Sequence, residues 1–123
     1  MNNSSLHIGK WLFQELSNIN GLAVYPVVAS EGTTTPYAVY YRQGITASNT
    51  KDGVQGDLLT YNLNIYTDSY AAGLDYMEQA RKLLSVPTKY DNMNIRNFAI
   101  VGGTEDYAGN IYIQTITFQI KVS

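Results

Sequence analysis

Near the start of the chain, apolar residues recur three and four positions apart at Ile8, Leu12, Leu16 and Ile19. That spacing predicts a first helix with one buried face. Ser4 and Ser5 precede it as capping residues, Trp11 lies beside the stripe, Phe13 sits off to one side, and Gly21 follows as a stop. Gly9 is a weak point within it. Residues 22–28 are β-branched and aromatic but include Pro26, which predicts a strand at a sheet edge, because proline has no N–H to give to a ladder. Residues 30–36 read as a turn and residues 37–42 as a second strand. In residues 58–67, Leu59, Tyr61, Leu63 and Ile65 alternate with Thr60, Asn62 and Asn64, the pattern of a strand with one buried and one polar face.

Asp68 or Ser69 caps a second helix with the stripe Leu74, Met77, Ala80 and Leu84, and Pro87 stops it. Residues 93–101 form a strand whose alternation slips between Ile95 and Phe98, the mark of a bulge. The final strand is the clearest. Tyr112, Ile116, Phe118, Ile120 and Val122 share one face with Gln114 as its polar member, and Ile111, Ile113, Thr115, Thr117, Gln119 and Lys121 share the other. Two stretches have no apolar period. Residues 46–57 predict a long hairpin loop, and residues 102–110 a second, Gly-bounded loop. The order αβββαββ defines an α+β class, with two helices packed on a mainly antiparallel sheet of about five strands. The expected core includes Leu63, Ile65, Leu74, Met77, Ile116, Phe118 and Ile120. The length of 123 residues, with no linker or internal repeat, fits one domain.

Composition changes the picture in one respect. Charged residues are only 15% of the chain, against roughly 25% in an ordinary soluble domain, and polar neutral residues and 11 Tyr fill the deficit. Tyr is enriched at protein interfaces, and it is equally at home on half-buried sheet. The net charge of −2 and the scatter of 8 basic residues give no phosphate-binding stripe, which argues against a nucleic-acid binder. Cys is absent, which excludes disulfides, thiolate nucleophiles and Cys-based metal sites. The first residues do not read as a signal peptide, and no apolar run is long enough to span a bilayer, so the expectation is a protein of a reducing cytoplasm without a membrane partner.

Candidate chemistry is sparse. His7, the single His, has no second His or Glu at ligand spacing, so it reads as exposed and structurally unimportant. Lys51-Asp52-Gly53 reads as a turn without the carboxylate alternation of a calcium loop. Glu105-Asp106 reads as a solvated loop tip, and Val101-Gly102-Gly103-Thr104 lacks the Gly-Lys-Ser/Thr end of a phosphate loop. Nothing marks Lys10, Lys82 or Lys89 as a desolvated nucleophile. The expectation is a protein that is not an enzyme and holds neither metal nor cofactor.

Four segments, taken in order, resemble the short tail-completion or tail-terminator proteins of long-tailed phages and prophages. They are the opening helix with Val24-Tyr25-Pro26, then Thr35-Pro36-Tyr37-Ala38-Val39-Tyr40, then residues 61–70 running into the second helix, and then the final alternating strand. The resemblance covers nearly the whole chain. It implies a homo-oligomeric ring, commonly a hexamer, seated on the last ring of the tail tube, where it stops polymerisation and offers a surface to the head–tail connector protein. The implied partners are further copies of the chain, the tail tube protein and that connector, in a virion tail assembled in the bacterial host cytoplasm. The family has no catalytic residues. Within the 46–57 loop, Val54 is the expected apolar anchor against a neighbour, and Lys51, Asp52 and Asp57 would set charge complementarity. The alternative function is a small-molecule or regulatory binding module of α+β type.

Overall fold

The computed structural model describes residues 5–49 and 55–123. A short 3-10 turn, Ser5–His7, leads into α1 at Ile8–Leu16. The strands are β1 (Ala23–Pro26), β2 (Tyr37–Asn49) and β3 (Gln55–Thr67), and after α2 (Tyr70–Leu84) come β4 (Thr88–Tyr90), β5 (Met93–Ala108) and β6 (Ile111–Val122). They make one six-stranded sheet in the order β1-β2-β3-β6-β5-β4. The α+β class is as expected, with one strand more. The sheet is mixed, because β1 runs parallel to β2 while every other pair is antiparallel. β1 ends at Pro26 on the outer edge, where a missing N–H costs nothing.

The alternating strands carry the core. Leu59, Tyr61, Leu63 and Ile65 from β3 and Ile116, Phe118, Ile120 and Val122 from β6 are buried beneath the helices. Phe118 stacks beside Tyr61 with ring centroids 6.0 Å apart and tilts against Phe98 at 5.2 Å. From α1, Ile8, Trp11, Leu12 and Leu16 are buried, and Ile19 follows just beyond the helix end. Ser5 does not cap α1, because His7 occupies that position and makes no side-chain cap bond. The Ser5 hydroxyl instead donates to the Asp57 carboxylate, tying the entry of the chain to β3. Ser4 lies outside the described residues.

On α2 the expected stripe is rotated by part of a turn. Leu74 is 42% exposed, whereas Gly73, Ala80 and Leu84 are buried and Met77 packs at the margin of the core. The cause is close approach. A Cβ on Gly73 would stand 3.1 Å from Thr67 Oγ1 and 3.3 Å from Gln114 Cγ, so the helix backbone rests on the sheet where a larger residue would hold it away. Ser69 is the cap, accepting a bond from the Ala72 N–H at 3.3 Å. The predicted slip in β5 is real, with the register shifting between Arg96 and Ala99 around Asn97 at φ 61°.

Both stretches expected to be loops belong largely to strands. β2 and β3 continue their pairing through Thr46 with Leu58, Ala47 with Asp57, and on to Asn49 with Gln55. β5 pairs with β6 as far as Ala108 with Ile111, and Gly109 and Asn110 close the hairpin with φ 57° and 65°. Positive φ at both central residues is the type I′ geometry favoured in two-residue hairpins.

Candidate interaction surfaces

Three features stand out on the molecule. The face of the sheet away from the helices is a ladder of neutral polar side chains. Thr117 donates to Asn62 at 2.6 Å, Thr115 to Asn64 at 2.8 Å, Asn62 to Gln43 at 2.6 Å and Gln119 to Thr60 at 3.3 Å. Seven of the 28 Asn, Gln and Thr residues that stand in for charge belong to this ladder.

The second feature is an apolar groove of about 1140 Å³ beside α1, running from Pro26 and Val27 past Phe13 and Leu6 to Tyr41 and Arg42. His7 and Lys10 also line it, so the solitary His is exposed at the rim of this groove. Val27 and Leu6 are 71% and 55% exposed, more apolar surface than a solvated edge needs. Beneath it Tyr40 donates to the Gly9 carbonyl at 2.6 Å, which gives the Gly9 turn a fixed anchor on the sheet. Burial pushes the Tyr40 hydroxyl up to about 12, with neighbouring Tyr61 adding to the effect, and burial raises Tyr61 as well, partly offset by Arg42. Because the fold favours neutral Tyr40, the stability it contributes is complete below the unfolded value near 10 and is lost as pH rises towards 12. An alkaline titration followed by tyrosinate absorbance should therefore show a late-ionising fraction that coincides with unfolding. Tyr40→Phe should remove part of that late fraction.

The third feature is a pair of open strand edges. β1 covers β2 only from Tyr37 to Tyr40, so among the described residues nothing pairs with the outer edge of β2 at residues 41–49. On the far side β4 covers β5 only from Met93 to Ile95, which leaves residues 96–108 open among the described residues. Ile45 lies on the first edge and Ile100, Val101 and Tyr107 on the second, all exposed. Long open edges are templates for pairing with another chain unless something covers them.

Glu105 is in strand β5 and not at a loop tip. It accepts bonds from the Tyr70 hydroxyl at 2.7 Å and the Gln114 amide at 2.9 Å, which hold its carboxyl below the ordinary range. The buried Gln114, the one polar member of the β6 core row, is satisfied this way. Both bonds fall on Oε2, and Oε1 has no partner among the described residues.

Of the expected docking residues, Lys51, Asp52 and Val54 lie outside the described residues. Asp57 is in β3, where its carboxylate accepts a bond from the Ser5 hydroxyl. Sequence reasoning missed Arg42 and Glu105 as edge residues, although the Gly109-Asn110 pair was a legible hairpin signal that would have placed Glu105 in a strand. The Tyr residues divide in keeping with both readings. Tyr37 and Tyr66 stack at 4.6 Å on the sheet, while Tyr41, Tyr70 and Tyr107 are exposed. Among the described residues no cluster of His, Asp or Glu is arranged to hold a metal, and no helix is long and apolar enough to cross a membrane.

No family model and no curated protein matches this chain. Solved structures do share its fold. A chain of the virion of a native gene transfer agent particle superposes with a TM-score of 0.73 at 14% identity, covering 90% of this chain and 90% of its own. A second solved chain superposes with a TM-score of 0.66 at 13% identity, over 98% of this chain and 97% of its own.

Proposed function

We propose that this chain is a virion structural protein of a phage or prophage, and within that class a tail-completion protein. It forms a ring on the end of the tail tube, halts polymerisation there and presents the surface that joins the head connector. It works by assembly and not by catalysis, in a virion tail put together in the host cytoplasm. The observation that carries the reading is the near full-length likeness to a chain of a gene transfer agent virion. The open edges support it, because a chain that caps a tube needs surfaces that close on copies of itself. Deleting the gene from its phage or prophage and imaging the particles is the test. Overlong tails, or tails that never join heads, are expected, with the protein restored at the head-proximal tail end on complementation. Particles with normal tail lengths and joined heads would overturn the proposal.

The groove favours a second reading, a small-molecule or regulatory binding module, since a cleft of about 1140 Å³ is large enough for an organic ligand. Under that reading the deletion leaves virion morphology untouched.

A further inference from the structure

We propose that the two open edges are the two halves of one interface, with residues 41–49 of β2 in one copy pairing antiparallel to residues 96–108 of β5 in the next. The inference rests on the ring reading and names the seam of the ring. β2 and β5 lie on opposite sides of the sheet and run in opposite directions, so copies set side by side in one orientation bring these edges together antiparallel. The open segments lie at opposite ends of the sheet. β1 closes the β2 edge where the neighbour's β5 would finish, and β4 closes the β5 edge where the neighbour's β2 would finish. The cover strands therefore set the limits of the seam and bar a long slip.

The register follows from backbone direction and charge. The Tyr40 carbonyl accepts from the Val27 N–H on the outer side at 2.7 Å, so Arg42, two residues on, also turns its backbone outward. On β5, Asn94 exchanges both backbone bonds with Ser123, so the residues facing odd-numbered β6 partners point inward. Glu105 faces Gln114 and therefore points outward. Arg42 opposite Tyr61 and Glu105 opposite Gln114 both stand on the helix side of the sheet. Setting Arg42 of one copy against Glu105 of the next satisfies ladder polarity, side-chain face and charge together. The vacant Glu105 Oε1 takes the guanidinium. The bulge around Gln43 then brings Ile45 opposite Gly103, again on the helix side. Tyr41 and Asp106 meet on the other face.

The chain has no Cys, so disulfide trapping has no background. Within one subunit positions 42 and 105 are three strands apart and offset by roughly 15 Å along the strands, well beyond the ~7 Å that a disulfide can bridge. An Arg42→Cys, Glu105→Cys double variant should convert under mild oxidation into a ladder of linked oligomers that collapses with reductant. A Tyr41→Cys, Asp106→Cys double variant should do the same, which guards against one pair disturbing the fold. Arg42→Cys with Asp106→Cys places the thiols on opposite faces and should remain unlinked. Light scattering of the unmodified chain and tail imaging run in parallel. If the chain forms discrete rings and neither matched pair links above the mismatched pair, the seam is wrong and the ring reading stands. If the matched pairs link but tails without the protein are normal, the seam holds and the tail-completion reading falls. A chain that stays monomeric at every concentration, shows no linking, and is absent from virions overturns both.

Discussion

Phe118→Ala should be the most damaging single substitution in the sheet, lowering stability by about 3–5 kcal/mol. The ring is completely buried, and it sits where β3, β6 and β5 meet, between Tyr61 and Phe98. No neighbouring side chain can swing in to fill the space, because the strands on both sides hold their residues in register: Tyr61 on one flank and Ile100 on the other face Phe118 directly. The loss combines transfer of the ring with the cavity left behind. The single Trp, Trp11, is buried under α1 and gives the readout. Its fluorescence followed through a urea titration should show the midpoint fall with little change in slope. A variant as stable as the parent would mean that the β6 register is wrong.

Trp11→Ala should cost nearly as much, about 3–5 kcal/mol, by a different route. The indole is 3% exposed and belongs to the face that α1 presents to the sheet together with Ile8, Leu12 and Leu16. A helix of 9 residues is too short to persist alone. It is held by that face, by the Tyr40 bond to Gly9 and by the Ser5 bond to Asp57. Weakening the face should free the helix and open the groove beside it before the sheet fails. Circular dichroism should then show loss of helix signal at denaturant concentrations that leave the sheet signal intact. Cooperative loss of both signals together, at an unchanged midpoint, would contradict this account.

The parts of the fold that could be read in advance share one property, a single apolar wall. Residues 59–65 and 112–122 alternate because one side of each strand is pressed against helices and the other is not. Residues 46–49 and 102–108 also lie in strands, yet the distal stretch of β5 is exposed throughout, as are Thr46 and Ala47 of β2. What holds them is the backbone ladder, to which almost any residue contributes, so they leave no trace in hydropathy. β4, with 3 residues, is too short to show a period. The error at Leu74 had a different origin. Counting apolar residues favours the largest side chain, but contact between α2 and the sheet is set by the smallest, Gly73. The relation between the edge residues Arg42 and Glu105 was beyond reach for a third reason. Nothing local relates two positions 63 apart (105 minus 42) until the strand order is known.

The ladder of Thr, Asn and Gln across β2, β3 and β6 sets the response of the subunit to its medium. None of these side chains gains or loses a proton in any pH range where the chain survives, and none carries a charge for counterions to shield. The cohesion that these bonds supply is therefore indifferent to ionic strength and acidity. A plate knit by neutral bonds keeps its shape in dilute and concentrated surroundings alike.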